Sequence, residues 1–230
     1  MSDGEHVADL ELEAPFTILM ISKRFGGKTN SILNLIRPKE WDNIFVVTVS
    51  SHTNNLAVLT VKTMVRKSIN DEWIEFLMAY QRKHNDKTLV IFDDFIGAGA
   101  KKLKNSEWMD SLASTGRNFN ISILFSTQKL ESVPTMIRAN PDYIMLGRAT
   151  EKQIKNITDE LAMPNIGTDA FRKKMRDIAK RKNYEFLFID ERHDDHKIYR
   201  AAKMMLPKKQ GAGAPQGSSS HEPEKESEHA

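Results

Sequence analysis

The sequence predicts an α/β protein, a three-layer α/β/α sandwich around a mostly parallel sheet. Two observations carry this. Six short runs are apolar without alternation: FTILMI (16–21), IFVVTV (44–49), LVIF (89–92), ISILFS (121–126), YIML (143–146) and EFLFI (185–189). Strands buried on both faces read this way, whereas a strand with one wet face alternates polar and apolar residues. Between the runs lie segments with apolar residues at helical spacing. Strands and helices taken in turn build a parallel sheet covered on both faces, with right-handed crossovers set by strand twist.

Element by element, FTILMI is the first strand. Ile32, Leu33 and Ile36 mark a helix over 29–36, which Pro38 stops. IFVVTV is β-branched and forms the second strand. Two helical patterns follow, over about 54–67 and 71–83. LVIF, preceded by Thr88, is the next strand, and 105–116 reads as a helix. ISILFS and YIML are strands, 151–161 and 168–182 are helices, and EFLFI is a last strand with a pairing partner around 197–199. Trp73 and Trp108 fall in helical patterns and read as core residues. The first 14 residues form a loose arm or an edge strand, the globular domain spans 15–206, and 207–230 is a disordered acidic tail rich in Gly, Ser, Pro and Glu.

Composition narrows the function classes. The chain has 230 residues and no cysteine, which excludes disulfides and thiolate metal sites. His193 and His196 form an H-x-x-H, but acidic residues surround them and the spacing reads as a surface turn. No leader-like apolar segment and no run of 18 apolar residues is visible, so the expectation is a soluble, intracellular protein without a membrane span. The net charge of +3 hides an asymmetry: residues 211–230 carry four Glu and one Lys, while 151–210 hold fifteen Lys/Arg against ten Asp/Glu. A basic C-terminal third hints at a polyanionic partner.

The chemistry-bearing motifs sit at strand ends. After the first strand comes Ser22-Lys23-Arg24-Phe25-Gly26-Gly27-Lys28-Thr29, then Asn30. The phosphate-binding loop pattern is G-x-x-x-x-G-K-[ST], and three of its four specified positions match; Ser22 stands where the first glycine is usual. Such a loop wraps backbone N–H groups around an anion, so small residues are needed where the chain comes close. Lys28 would reach the β/γ-phosphates, Thr29 would ligate Mg²⁺, and the following helix would aim its N-terminal dipole at the same phosphates. The bland alternative is a strand–turn–helix with a Gly-Gly hinge. LVIF ends in Asp93 and Asp94, where ligands of open parallel sheets bind. One carboxylate there can hold Mg²⁺ and the second can orient an attacking water. The bland alternative is two solvated acids opening a turn. ISILFS ends in Thr127 and Gln128, which could bond a γ-phosphate or simply cap the loop.

These three motifs in this order, with "GRNFNISILFSTQ" before the third, resemble the FtsK–HerA superfamily, most closely the poxvirus-type genome-packaging ATPases of large double-stranded DNA viruses and virophages. The resemblance covers about residues 16–150. It implies a RecA-like core of the ASCE class of P-loop NTPases, with the Thr127 strand between the loop strand and the Asp93 strand. It implies ATP and Mg²⁺ as ligands, Lys28 and Thr29 on phosphate and metal, Asp93 on metal, and Gln128 as sensor. Asp94 stands where many relatives carry a catalytic glutamate one methylene longer. Such motors act as homo-oligomeric rings, pentamers or hexamers, in which a neighbour's arginine stabilises transition-state charge. Arg117 is the first candidate for that finger, with Arg138 and Arg148 as rivals; a surface or DNA-facing cation is the plain alternative for each.

A translocating ring grips DNA phosphates without reading sequence. Lys101, Lys102 and Lys104 in "AKKLKN" are the candidate pore contacts. The basic stretch 171–182 is weighed against a solvated helix face. The leading expectation is an ATP-hydrolysing motor that moves double-stranded DNA, packaging a viral genome with a capsid or portal-vertex partner at host-cytoplasm assembly sites. A non-hydrolysing nucleotide-binding scaffold and a small-molecule kinase are the alternatives.

Overall fold

The computed structural model describes residues 5–36, 40–48, 63–66, 70–94, 106–161, 166–181 and 184–201. Strand β1 (Thr17–Ile21) sits at the centre, and all five of its residues are buried. Its neighbours are β5 (Ile121–Thr127) on one side and β6 (Tyr143–Leu146) on the other, both parallel to it. Beyond β5 come β4 (Thr88–Asp93), β2 (Asn43–Thr48) and β3 (Thr63–Arg66), again parallel. Beyond β6 come β7 (Glu185–Asp190) and β8 (Asp195–Arg200), both antiparallel to their predecessors. The order is therefore β3-β2-β4-β5-β1-β6-β7-β8.

The continuous apolar runs have their expected cause. Successive side chains of a strand point to opposite faces. Leu19 and Ile21 join one core cluster with Val90, Phe92, Ile123 and Phe125, while Ile18 and Met20 join the other with Leu89, Ile91 and Leu124. The first face is covered by α2 (Asp71–His84), α3 (Glu107–Thr115), α4 (Thr135–Ala139), α5 (Glu151–Glu160) and α6 (Thr168–Lys180), which supply residues such as Ile74, Leu112, Ile137, Ile154 and Phe171. The second is covered by α1 (Lys28–Ile36) through Ile32, Leu33, Leu35 and Ile36. Burying each such aliphatic side chain contributes about 1.5–3 kcal/mol, so both faces hold the sheet. The result is the expected three-layer sandwich, with Trp73 in the first core against Phe45 and Trp108 packed at its margin.

Local signals explain the helix ends. Asn70 caps α2 by accepting the Trp73 N–H, acids occupy its first turn, cations its last, and Asn85 ends it in the left-handed region. Ser106 caps α3. Thr150 and Gln153 form a reciprocal capping box on α5.

Two expectations need correction. Residues 63–66 of the expected 54–67 helix form an edge strand, paired in parallel from Ile44↔Thr63 to Val47↔Arg66; residues 54–62 lie outside the described residues. Ladder hydrogen bonds to β2 outweigh the weak amphipathic pattern of that segment. Nor is the N-terminal segment loose where it is described. Val7, Leu10 and Leu12 are buried in the second core, and His6 bridges to Arg200. The acidic tail over 207–230 lies outside the described residues. Among the described residues, no helix is long and apolar enough to cross a membrane.

Candidate active site

The carboxyl ends of β1, β4 and β5 meet because β5 lies between the other two. Each strand hands over to a site residue at that edge. Ser22 follows β1, Asp93 ends β4 with Asp94 next, and Gln128 follows β5.

The 22–29 loop is tied down by its neighbours. The Ser22 N–H donates to Thr127 O (3.1 Å), the Lys23 N–H to Arg148 O (2.8 Å) and the Gly26 N–H to Lys23 O (3.0 Å). Gly27 adopts φ +87°, a conformation glycine takes without strain. Ser22, the departure from the usual pattern, is fully buried. Its room comes from Gly147, just past β6: a Cβ there would stand 2.5 Å from the Ser22 oxygen and 2.8 Å from Phe186. A Cβ on Gly26 would collide with the same oxygen, so the serine is accommodated by one glycine of its own loop and one past β6. Phe25 is 81% exposed at the loop tip, with the Arg24 guanidinium over its ring.

Lys28 opens α1 and is buried. Its ammonium donates to Ser22 O (2.9 Å) and pairs with Asp94 Oδ1 (3.2 Å). The other carboxylate oxygen of Asp94 accepts from Gln128 Nε2 (3.2 Å). Asp94 itself is turned to φ +45°, with its N–H on Ser126 O. Lys28, Asp94 and Gln128 therefore form one connected polar group, built from three strand ends far apart in sequence.

Asp93 differs from its neighbour. It is buried, and its Oδ1 meets no hydrogen-bond partner. Burial raises its carboxyl above the ordinary value, the charge of Asp94 adds to this, and Ser126 and Lys28 pull the other way. A buried, under-partnered carboxylate beside a second one suits a hard divalent cation. Magnesium typically takes one or two protein carboxylates and completes its shell with phosphates and water. The residues at this edge fit such an ion, with Thr29 half-buried at the first turn of α1 and Asn30 exposed beside it. Among the described residues, no group of three or more His, Asp or Glu forms an all-protein metal cage. His193 bonds Asp190 through Nδ1 (2.9 Å).

The arginine candidates separate. Arg117 lies before β5, at the opposite edge of the sheet, and pairs with Asp142 (3.7 Å). Arg138, on α4, is bonded to Glu160 and Thr135. Arg148 stands at the same edge as the loop, just past β6, and its Nε has no hydrogen-bond partner. Lys101, Lys102 and Lys104 lie outside the described residues. On α6, Phe171, Met175 and Ile178 are buried, while Arg172 pairs with Asp159 and Arg176 with Glu151; just beyond it, Arg181 pairs with Glu185.

Three residues at this edge escaped the sequence reading: Gly147, Gln153 and Tyr184. Gln153 donates to the Gln128 carbonyl (2.6 Å) while accepting from Thr150, so it joins the sensor position to the start of α5. Its Thr-x-x-Gln capping spacing is readable; its reach to Gln128 is not.

The model of the family described as Poxvirus A32 protein matches residues 6–191. The chain belongs to that family, the group of P-loop ATPases its motifs resemble. A relative from Invertebrate iridescent virus 6, the uncharacterized protein 075L, is 27% identical over 190 residues, covering 78% of this chain and 72% of the relative. Among solved structures, this A32-type chain is similar to the genome packaging NTPase B204 of Sulfolobus turreted icosahedral virus 2 in complex with ATPγS. The TM-score is 0.59 at 14% identity, over 82% of this chain and 98% of that one. The cytoplasmic domain of the Thermomonospora curvata type VII secretion ATPase EccC is also similar, with TM-score 0.60 at 12% identity over 84% of this chain and 26% of that one. These likenesses establish a shared fold, a RecA-like P-loop core.

Proposed function

We propose that this chain is an ATP-driven translocase of double-stranded DNA that packages a viral genome. The observation that carries the reading is the single polar group joining Lys28, Asp94 and Gln128 across three strand ends. Family membership and the packaging NTPase among its structural neighbours support it.

In this reading the 22–29 loop cradles the β- and γ-phosphates, and Lys28 neutralises their charge. Asp93 and Thr29 would hold Mg²⁺, which shields the phosphate charge when bound. An arriving γ-phosphate competes with Asp94 for Lys28. Once Lys28 turns to phosphate, the Asp94 carboxylate, still held by Gln128, is released to orient a water for in-line attack and accept its proton. Gln128 senses the γ-phosphate and passes its state through Gln153 to α5. A neighbouring subunit in a pentameric or hexameric ring supplies an arginine; Arg117, Arg138 and Arg148 remain the residues to test. DNA phosphates are gripped by Lys101, Lys102 and Lys104, and a capsid or portal-vertex protein receives the ring at cytoplasmic assembly sites.

The test is ATP turnover with and without double-stranded DNA, for the wild type and Lys28→Ala. DNA-stimulated hydrolysis that the substitution abolishes is expected. Nucleotide binding without turnover, even with DNA present, would favour an assembly scaffold instead, a reading that the Lys28–Asp94 pair keeps open because it occupies both groups.

A further inference from the structure

We infer that Tyr184 forms the nucleobase wall of the site, stacking on the base of the bound nucleoside triphosphate; this rests on the nucleotide-site reading above. The first observation is the placement of the ring. A Cβ on Gly27 would stand 3.1 Å from the Tyr184 Cβ and 3.2 Å from its Cδ1, so the ring leans directly on the phosphate loop.

The second is backbone conformation. Six non-glycine residues among those described have positive φ. Four are Asn or Asp, which tolerate that region; the other two are Phe25 and Tyr184, bulky residues for which it is an outlier. Both aromatics lie at the phosphate loop. At φ +53°, the Tyr184 backbone is held by the Ala201 N–H, which donates to its carbonyl (3.1 Å). Strained residues of this kind persist where the surroundings over-determine them, and they cluster at ligand clamps.

The third is sheet order. Asp93, Asp94 and Gln128 all lie on the β4–β5 side of the loop, so a γ-phosphate faces that side. The nucleoside must then leave the loop toward β6 and β7. Strand β7 runs antiparallel to β6, with Leu187 opposite Leu146, so its amino end arrives at the same edge. Tyr184 immediately precedes β7. It is 49% exposed, leaving ring surface open to a ligand. Stacking on an aromatic ring tolerates any base, because every base presents a π-face. The site thus holds a base without reading it, and weak discrimination between ATP and GTP follows.

The experiment compares affinities of the full chain, with Mg²⁺ present, for ATP, GTP and inorganic tripolyphosphate. Tyr184→Asn keeps a residue tolerant of positive φ but removes the ring; Tyr184→Phe keeps the ring. Expected are a loss of about tenfold in ATP and GTP affinity for Tyr184→Asn, unchanged tripolyphosphate affinity, and near wild-type values for Tyr184→Phe. Unchanged ATP affinity in Tyr184→Asn, or an equal loss for tripolyphosphate, would overturn the assignment while leaving the phosphate site intact. If wild type binds none of the three ligands, the nucleotide-site reading itself fails, and this assignment falls with it.

Discussion

The two edges of the parallel sheet treat charge differently. At the amino edge, the cluster around Asp142 is matched by protein partners. Asp142 accepts from the Thr17 N–H (2.7 Å) and from Arg192 Nε (3.0 Å), with Arg117 at 3.7 Å. Arg192 donates further to the carbonyls of Glu13 and Pro15. At the carboxyl edge, two adjacent carboxylates share one lysine, and Asp93 Oδ1 meets no hydrogen-bond partner. The Asp142 cluster is complete without a ligand, and its polar groups serve folding. The carboxyl edge leaves a buried carboxylate oxygen of Asp93 without a donor, which is what a site awaiting a cation requires.

That contrast can be broken experimentally, and the largest effect belongs to the carboxyl edge. Asp94→Asn should lower steady-state ATP turnover by about 10²–10⁴, with ATP affinity retained by equilibrium binding; full turnover would remove Asp94 from the chemistry. The amino edge should answer in stability instead. Asp142→Ala strands the Thr17 N–H and the half-buried Arg192, and should cost about 3 kcal/mol in denaturant unfolding, with turnover per folded molecule unchanged.

Asp93 sharpens the comparison through pH. Its folded carboxyl lies above the ordinary value of 3.8 because burial disfavours the charge. The native state therefore binds the extra proton, and stability falls as pH rises from that value through the raised one. Asp93→Asn should remove this loss. Melting of the ligand-free variant should exceed that of wild type at neutral pH and match it more closely in acid, while stabilisation by ATP with Mg²⁺ disappears. A variant less stable than wild type at neutral pH would show that the charge is already compensated. The smallest effect is expected at the exposed Arg176–Glu151 pair: Arg176→Ala should leave the melting temperature unmoved.

Much of this edge is legible in the sequence. The run from Phe16 into Gly26-Gly27-Lys28-Thr29, and the run ending in Asp93-Asp94, announce themselves because local apolar length and turn residues decide them. What escaped depends on sheet order. Strand β3 is four residues long, and Met64 and Val65 are well exposed, so no buried run marks it. Tyr184 looks like an ordinary loop residue until an antiparallel strand carries it to Gly27. Gln153 shows its capping role in sequence, but its bond to Gln128 spans 25 residues and two elements.

The fit between Ser22 and Gly147 ties the head of the loop to the far side of the sheet. A side chain at 147 would collide with both the serine and the Phe186 ring, so glycine at 147 serves two neighbours at once. A glycine at 22 would relieve only the first of these contacts, and the Phe186 contact would remain. The serine at the head of this loop thus depends on a residue 125 positions downstream, one that the β7 side of the sheet holds to glycine in its own right.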